Sequence, residues 1–220
     1  MIRCLEQTWE WAKISIRAVT RSRATLGLVG MGVMATGSGV FFEAFDFGES
    51  EGQFLLSLSW ALQVIAVTVV ALAVSLHVSG QNERSGFIPV ALARGVFPAA
   101  MVLGQVLAVA VFCLLFAVGS TALVFAVNFG GDFASALGSG LGIVTLTVSG
   151  VLIALIVQWL AGWARELGFV IGASLGIILL GYLRPVAVDI GGVAAWLAML
   201  APDFAHLGET EWVMGKRSWA

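Results

Sequence analysis

Residues 99–127 read AAMVLGQVLAVAVFCLLFAVGSTALVFAV and contain no Asp, Glu, Lys or Arg. Four other stretches are equally free of these charged residues: 24–42, 54–78, 133–163 and 167–183. A helix needs about 20 apolar residues to cross a hydrocarbon core roughly 30 Å thick. Because the bilayer core offers no water to the backbone, and because the stretches show no polar/apolar alternation, they are predicted to be helices. We therefore expect five membrane-spanning helices.

The amino-acid composition fits a chain that is partly surrounded by lipid. Hydrophobic residues make up 60% of it and charged residues 11%, with a mean hydropathy of +1.00, whereas soluble globular proteins have about 45–50% and about 25%. This excludes a soluble globular enzyme. The net charge of -2 leaves no excess of positive charge to meet phosphates, which excludes a nucleic-acid-binding protein. The predicted class is an all-α, polytopic helical membrane protein.

Lysine and arginine are distributed unequally between the two sides of the predicted spans. Residues 1–23 carry five basic residues, and loop 43–53 carries four acidic residues and no basic one. Loop 79–98 contributes two arginines, loop 128–132 only one aspartate, and the next connection Arg165. Since positively charged loops stay on the cytoplasmic side, the N-terminus is predicted to be cytoplasmic, with the two acidic loops outside.

The N-terminal segment, residues 1–23, is predicted to be an amphipathic helix that lies in the headgroup plane. The alternative is a plain basic flank that sets the topology, and one segment can do both. Charged side chains occupy the polar side of this helix. The residues of its apolar side recur at spacings of 4, 3, 4 and 3 and are Leu5, Trp9, Ala12, Ile16 and Val19.

The pattern divides the chain into three regions. Residues 1–23 form the interfacial helix, residues 24–183 the transmembrane domain, and residues 184–220 a C-terminal segment. Within this last region, residues 186–201 contain Asp189 and about a dozen apolar residues, fewer than a span needs. We expect a re-entrant or extracytoplasmic element there, and the alternative is a sixth span.

Residues suited to catalysis or metal binding are scarce. The two histidines, His77 and His206, fall on opposite sides of the membrane in the predicted topology, which disfavours a haem held between them. Gly215 and Lys216 lack the glycine spacing of a phosphate-binding loop. We therefore predict no catalytic residue, no directly bound cofactor and no metal site in this chain.

Two features inside the predicted spans point to helix packing. Gln158 lies deep enough in its span that an unpaired amide would be costly, so it should face protein; it either lines a pathway or makes an interhelical hydrogen bond. Gly168, Gly172 and Gly176 repeat every four residues and form a flat stripe. Such a stripe permits close helix contact, either within the subunit or across a dimer.

The loop of residues 81–98 reads QNERSGFIPVALARGVFP and mixes apolar with charged residues. A connection of this length is predicted to contain a short helix, beginning at Asn82 or Ser85 and ending near Gly95. One interpretation is an interfacial helix that anchors the ends of the spans. The other is a docking element for a cytoplasmic partner, with candidate contact residues Glu83, Arg84, Gly86, Phe87, Leu92 and Arg94.

The same loop resembles that between spans two and three of type-2 ABC transporter permeases, whose usual run is E-x-x-G-T, a leucine-rich stretch, R-P-V-S-R and later L-G-K. Residues 197–204, LAMLAPDF, are similar to the L-P-x-F stretch that follows span five in that family. The chain departs from the pattern at residues 95–98, GVFP, and at Gln105, which replaces lysine. The family also has six spans. The matching residues in the loop are Glu83, Gly86, Leu92, Ala93, Arg94, Pro98, Leu103 and Gly104.

The resemblance implies a membrane-spanning subunit of an ABC transporter in the bacterial cytoplasmic (inner) membrane. Two such subunits, identical or different, would form the pathway, and separate cytoplasmic ATPase subunits holding ATP and Mg²⁺ would dock on loop 81–98. The subunit itself would not be an enzyme. The rival hypothesis is a non-transporting membrane anchor or accessory subunit of a larger complex. An ion-coupled secondary transporter is disfavoured, because no Asp, Glu or Lys lies in a span and no inverted repeat is visible.

Overall fold

The computed structural model describes residues 2–41, 51–84, 87–127, 133–164 and 166–207, and regular secondary structure in these ranges is helical throughout. The loop residues 42–50 and 128–132 and the C-terminal residues 208–220 lie outside the described parts, and with them most of both predicted outer loops. The helices are α1 Ile2–Arg21, α2 Arg23–Phe41, α3 Glu51–Arg84, α4 Phe87–Ala93, α5 Pro98–Val127, α6 Phe133–Trp163, α7 Leu167–Tyr182, α8 Arg184–Ile190, α9 Gly192–Met199 and α10 Phe204–Leu207.

Three of these helices are long and apolar enough to cross a membrane. Their qualifying parts are Trp60–Gly80 in α3, Pro98–Leu123 in α5 and Gly140–Trp163 in α6. A fourth span results if α7 and α8 are counted together across the 68° bend between them. The structure therefore supports an all-helical protein with three apolar helices of spanning length, fewer than the five predicted.

Two predicted spans are not among these three helices. The 16 residues of α7 rise only about 24 Å, short of a hydrocarbon core roughly 30 Å thick. α2 covers Arg23–Phe41, nearly the whole predicted span 24–42, and among the described residues its apolar stretch is Thr25–Met34. Charge-free stretches therefore marked helices correctly but overestimated how many of them span a membrane alone.

The core of the bundle is built around α3. One face of this helix is fully buried along Val67, Val70, Val74 and Val78, at the spacing of successive helical turns. It packs against α5 and α6, where Ile153 is also fully buried. α3 therefore lies at the centre of the bundle, in contact with α2, α5 and α6.

The predicted C-terminal element, residues 186–201, is not one long helix. α8 and α9 are short and are joined at Gly191 and Gly192, whose positive φ angles of 75° and 65° make the reversal. α8 has no buried residue, whereas Phe204, after the pair, is fully buried and stacks on Tyr182 with ring centroids 5.6 Å apart. The chain thus turns away at the end of α7, and Phe204 packs it back against that helix end.

Candidate docking site around α4

α4 is a two-turn helix between the end of α3 and the start of α5. Pro89 is its third residue, where a missing N–H costs no hydrogen bond. The helix ends in a turn at Gly95, whose φ of +78° is in the left-handed region. The end near Gly95 agrees with the sequence-based prediction. The beginning differs, because residues 81–84 continue α3 and the separate helix begins only at Phe87.

The inner face of α4 rests on α1. Ala91 of α4, Trp11 of α1 and Met101 of α5 form a small buried cluster, each with 5% of its surface exposed. Beside this cluster, the backbone N–H of Phe97 donates a hydrogen bond of 3.2 Å to the side-chain oxygen of Gln7. The N-terminal helix therefore forms the base on which the α4 segment is held.

At Gly104, α5 packs tightly against the backbone of α1. A Cβ atom added at this glycine would lie 2.7 Å from Trp11 Cβ and 2.8 Å from the carbonyl oxygen of Thr8. Only glycine fits such a contact without displacing a backbone. Gly104 belongs to the Leu103-Gly104-Gln105 motif, so the structure gives this motif residue a packing role. The sequence did not indicate that its neighbour would be α1.

The amphipathic pattern of α1 is used differently from the predicted stripe. Ala12 and Val19, which the sequence pattern assigned to a membrane-facing side, are fully buried within the protein. Trp11, which lies off the predicted stripe, is buried as well, while Leu5 and Trp9 remain more than half exposed. The side of α1 that packs on the protein, with Trp11, Ala12 and Val19, therefore only partly coincides with the predicted apolar side. Leu5 and Trp9 of that predicted side stay exposed.

The outer face of α4 and the turn after it is exposed and largely apolar. Val90, Leu92 and Phe97 have 48%, 44% and 54% of their surfaces exposed. Arg94 is exposed beside them, and its side chain makes no ion pair with any residue whose placement is described. A cation next to three apolar side chains is a surface suited to a protein partner.

The structure brings two of the six predicted docking residues together, Leu92 and Arg94. Glu83 and Arg84 close α3, and Phe87 opens α4, but their side chains lie outside the described parts. Gly86 lies outside the described residues altogether. What the sequence missed is the supporting layer of Gln7, Trp11 and Gly104. Its only sequence signals are a tryptophan off the apolar stripe and a glycine in a short motif.

Gln158 faces protein, as predicted. Its side-chain N–H donates a hydrogen bond of 3.0 Å to the hydroxyl of Ser79, which joins α6 to α3. The glycine stripe of α7 lies in open space: a Cβ atom added at Gly168, Gly172 or Gly176 would meet no heavy atom within 4 Å. The stripe therefore does not pack against the described part of this subunit.

A cleft of about 550 Å³ opens between α6 and α7, at the end of the bundle where α6 finishes. Its walls are mainly aromatic, with Trp159, Trp163 and Phe169 beside the exposed carboxylate of Glu166. Among the described residues, no group of three or more His, Cys, Asp or Glu side chains is placed to hold a metal ion.

The chain matches no protein family and no curated protein sequence. Its function must therefore be inferred from its own residues and from the motifs around α4.

Proposed function

We propose that the protein is the membrane-spanning subunit of an ABC transporter and that α4 docks a separate ATPase subunit. The observation that carries this proposal is the construction of α4. Its inner residue Ala91 is held against Trp11 and Met101, while Leu92 and Arg94 are exposed on the other side. The motif residues of type-2 permeases occur in and around this helix, which supports the same assignment.

The packing suggests how a partner on α4 would act on the bundle. α4 is attached to α1 through Trp11 and Gln7, and α1 is attached to α5 at Gly104. A displacement of α4 would therefore move α1 and α5 with it. ATP and Mg²⁺, bound by the partner, would supply the free energy through contacts that differ between two states of the complex. A second membrane subunit would complete the pathway.

The proposal places the α4 end of the bundle in the cytoplasm of a bacterium. In a chain without Cys4 and Cys113, single cysteines at Arg21 and at Glu49 can be exposed to a membrane-impermeant thiol reagent in intact cells. We expect labelling of Glu49→Cys and protection of Arg21→Cys, since positively charged segments stay inside. The reverse pattern would refute this orientation and the docking of a cytoplasmic ATPase with it.

Charge reversal at Arg94 tests the docking surface. Arg94 is solvated in the free subunit, so Arg94→Glu should leave its thermal unfolding unchanged. Against a partner, loss of a paired charge costs roughly 2–5 kcal/mol, so co-purification of the ATPase or stimulated ATP hydrolysis should fall sharply. The matched control is Arg17→Glu, an exposed arginine on α1 that lies away from the α4 contact.

The anchoring hypothesis predicts the opposite result. If α4 only anchors the ends of the spans, Arg94→Glu should retain normal partner binding and normal coupling, whereas Leu92→Ser should impair expression. Recovery of the chain with cofactor-bearing membrane proteins and without an ATPase would favour an accessory subunit. A co-purifying ATPase that is lost in Arg94→Glu but retained in Arg17→Glu supports the permease.

A further inference from the structure

A row of hydroxyl and amide side chains lies where α3, α6 and α7 meet. On α3, Thr68, Ser75 and Ser79 share one face, since they are seven and four residues apart. Thr68 Oγ1 lies 2.9 Å from the hydroxyl of Tyr182, which joins α3 to α7, and Gln158 joins α6 to Ser79. We call this row, completed by one serine of α7, the polar seam; it consists of Thr68, Ser75, Ser79, Gln158, Ser174 and Tyr182.

The two serines in the middle of the polar seam have buried hydroxyls without a partner. Ser75 and Ser174 both have 0% of their surface exposed, and neither Oγ atom has a hydrogen-bond partner among the residues that the structure describes. α3 and α7 run antiparallel, with Leu167 beside Gly80 at one end and the Thr68–Tyr182 contact at the other. This register places Ser174 at the level of Ser75, midway between the two contacts.

An unpartnered hydroxyl in such a place is energetically unfavourable. Leaving a buried donor and acceptor unsatisfied costs about 1–3 kcal/mol. A serine in a helix often avoids this cost by donating to the carbonyl oxygen one turn earlier. Ser79 does so, with its hydroxyl 2.9 Å from the carbonyl oxygen of Ser75. Ser75 and Ser174 do not, although both lie on helices in which that carbonyl is available.

Water is the other means by which buried polar groups are satisfied. A buried water needs two to four polar partners, and two unpartnered buried hydroxyls at the same level of adjacent helices are candidates for two of them. We propose that the polar seam between Ser75 and Ser174 is a binding site for water and for solutes of similar size with hydrogen-bonding groups. It lies within the apolar part of α3, Trp60–Gly80. From Thr68 to Ser79 the helix rises about 16 Å, half of a typical hydrocarbon core.

Cysteine accessibility tests this site in the single subunit, independently of any ATPase. In membrane vesicles containing a chain with Cys4 and Cys113 replaced by alanine, Ser174→Cys is treated with a small, water-soluble thiosulfonate. The thiolate attacks the sulfenyl sulfur of the reagent, forming a mixed disulfide and releasing a sulfinate, and the thiolate forms only where water reaches the cysteine. The matched control is Ile178→Cys, one turn further along the same buried face and 3% exposed.

We expect Ser174→Cys and Ser75→Cys to react at least tenfold faster than Ile178→Cys. Leu175→Cys, which is exposed on the outside of α7, should be slow because lipid disfavours the thiolate. Equal rates at Ser174 and Ile178, whether fast or slow, would overturn the proposal; slow rates would mean that the hydroxyls bond to the preceding carbonyls. If Ile178→Cys does not fold, Val170→Cys on the same face takes its place, being 2% exposed.

Discussion

Two sets of glycines in this protein have opposite surroundings. The regular stripe of α7, Gly168, Gly172 and Gly176, is the one that the sequence marks for helix contact, yet it faces open space. Isolated glycines elsewhere lie where two elements of the chain approach most closely. At these positions an added Cβ atom would be within about 3 Å of a neighbour, or closer; they are Gly104, Gly142, Gly150 and Gly181.

The difference shows that spacing alone does not identify a helix contact. A GxxxG stripe makes a flat surface, but the surface is used only if another helix lies opposite. A single glycine is sufficient where two helices cross, because a crossing brings the backbones together at one point. At Gly142 the neighbour is a side chain instead: an added Cβ atom would lie 2.7 Å from the ring of Trp60, so this glycine of α6 makes room for a tryptophan of α3.

The largest loss of thermal stability is expected from Gly150→Leu. A side chain at this position would overlap the sulfur of Cys113, whose Cβ atom is only 3.0 Å from the new Cβ. Overpacking of a core costs typically about 1–3 kcal/mol and occasionally more, and we expect the upper end here because both helices are buried. Thermal unfolding in detergent measures it, with Gly162→Leu as the control on the same helix, where nothing lies within 4 Å.

Removal of the neighbouring sulfur gives an independent check of this crossing. In the Gly150→Ala chain, the further change Cys113→Ala should restore part of the lost stability, since the sulfur is the closest atom. If the two substitutions destabilise additively, Gly150 and Cys113 do not contact each other as described.

Gly104→Leu should detach α1 from α5 while leaving the rest of the bundle folded. The backbone of α1 lies within 3.0 Å of the added Cβ atom, so the helix has no room to adjust. We expect a loss of about 1–3 kcal/mol at the contact and much faster labelling of a cysteine at Ala12, which is fully buried in α1. Gly119→Leu, also on α5 but in open space, should leave Ala12→Cys protected.

Gly172→Leu should leave the thermal unfolding of the single subunit unchanged, since nothing of the described chain lies beside it. If two subunits associate through the stripe, the same change should abolish their association, because an isobutyl group separates helices that pack closely through glycines. Size-exclusion chromatography with light scattering in mild detergent measures the mass. Unchanged association would mean that the stripe contacts lipid.

The smallest loss of thermal stability is expected from removing an ion pair to the segment that follows α9. Arg184 and Asp203 form a partly exposed ion pair with an N–O distance of 3.8 Å, and such pairs are worth about 0–1 kcal/mol. Arg184→Gln should therefore lower the unfolding temperature only slightly. Gly181→Leu should lower it clearly, because the residue packs against Phe204 and the carbonyl oxygen of Pro202. Equal losses would mean that the ion pair holds this segment.

Several parts of the fold follow from local properties of the sequence. The charge-free runs identified α5 and α6 to within one residue and the apolar body of α3, which continues six residues beyond the predicted span. Apolar composition and helix length are linked through the bilayer thickness. The hydrogen bond of Gln158 to another helix followed from the cost of an unpaired amide. The end of α4 near Gly95 was also predicted, and the glycine lies in the turn after the helix with a φ of +78°.

Other parts depended on neighbours that no local pattern identifies. Composition could not show that α7 bends by 68° after 16 residues, because the bend is made where Gly181 and Tyr182 meet Phe204. The polar seam was likewise hidden, because its serines are common residues far apart along the chain. Only the register of α3 against α7 places them at one level.

By itself, the sequence determined that the chain is helical and apolar, where most of its helices lie, and that α4 stands apart as a short element between two long ones. Each of these features depends on properties of the individual residue type, namely its hydropathy, its charge and its backbone freedom. The tertiary structure alone decided that α4 rests on Trp11, that α1 crosses α5 at Gly104, and that the glycine stripe of α7 is left open. These depend on which side chain lies opposite, and that is settled by packing between distant segments.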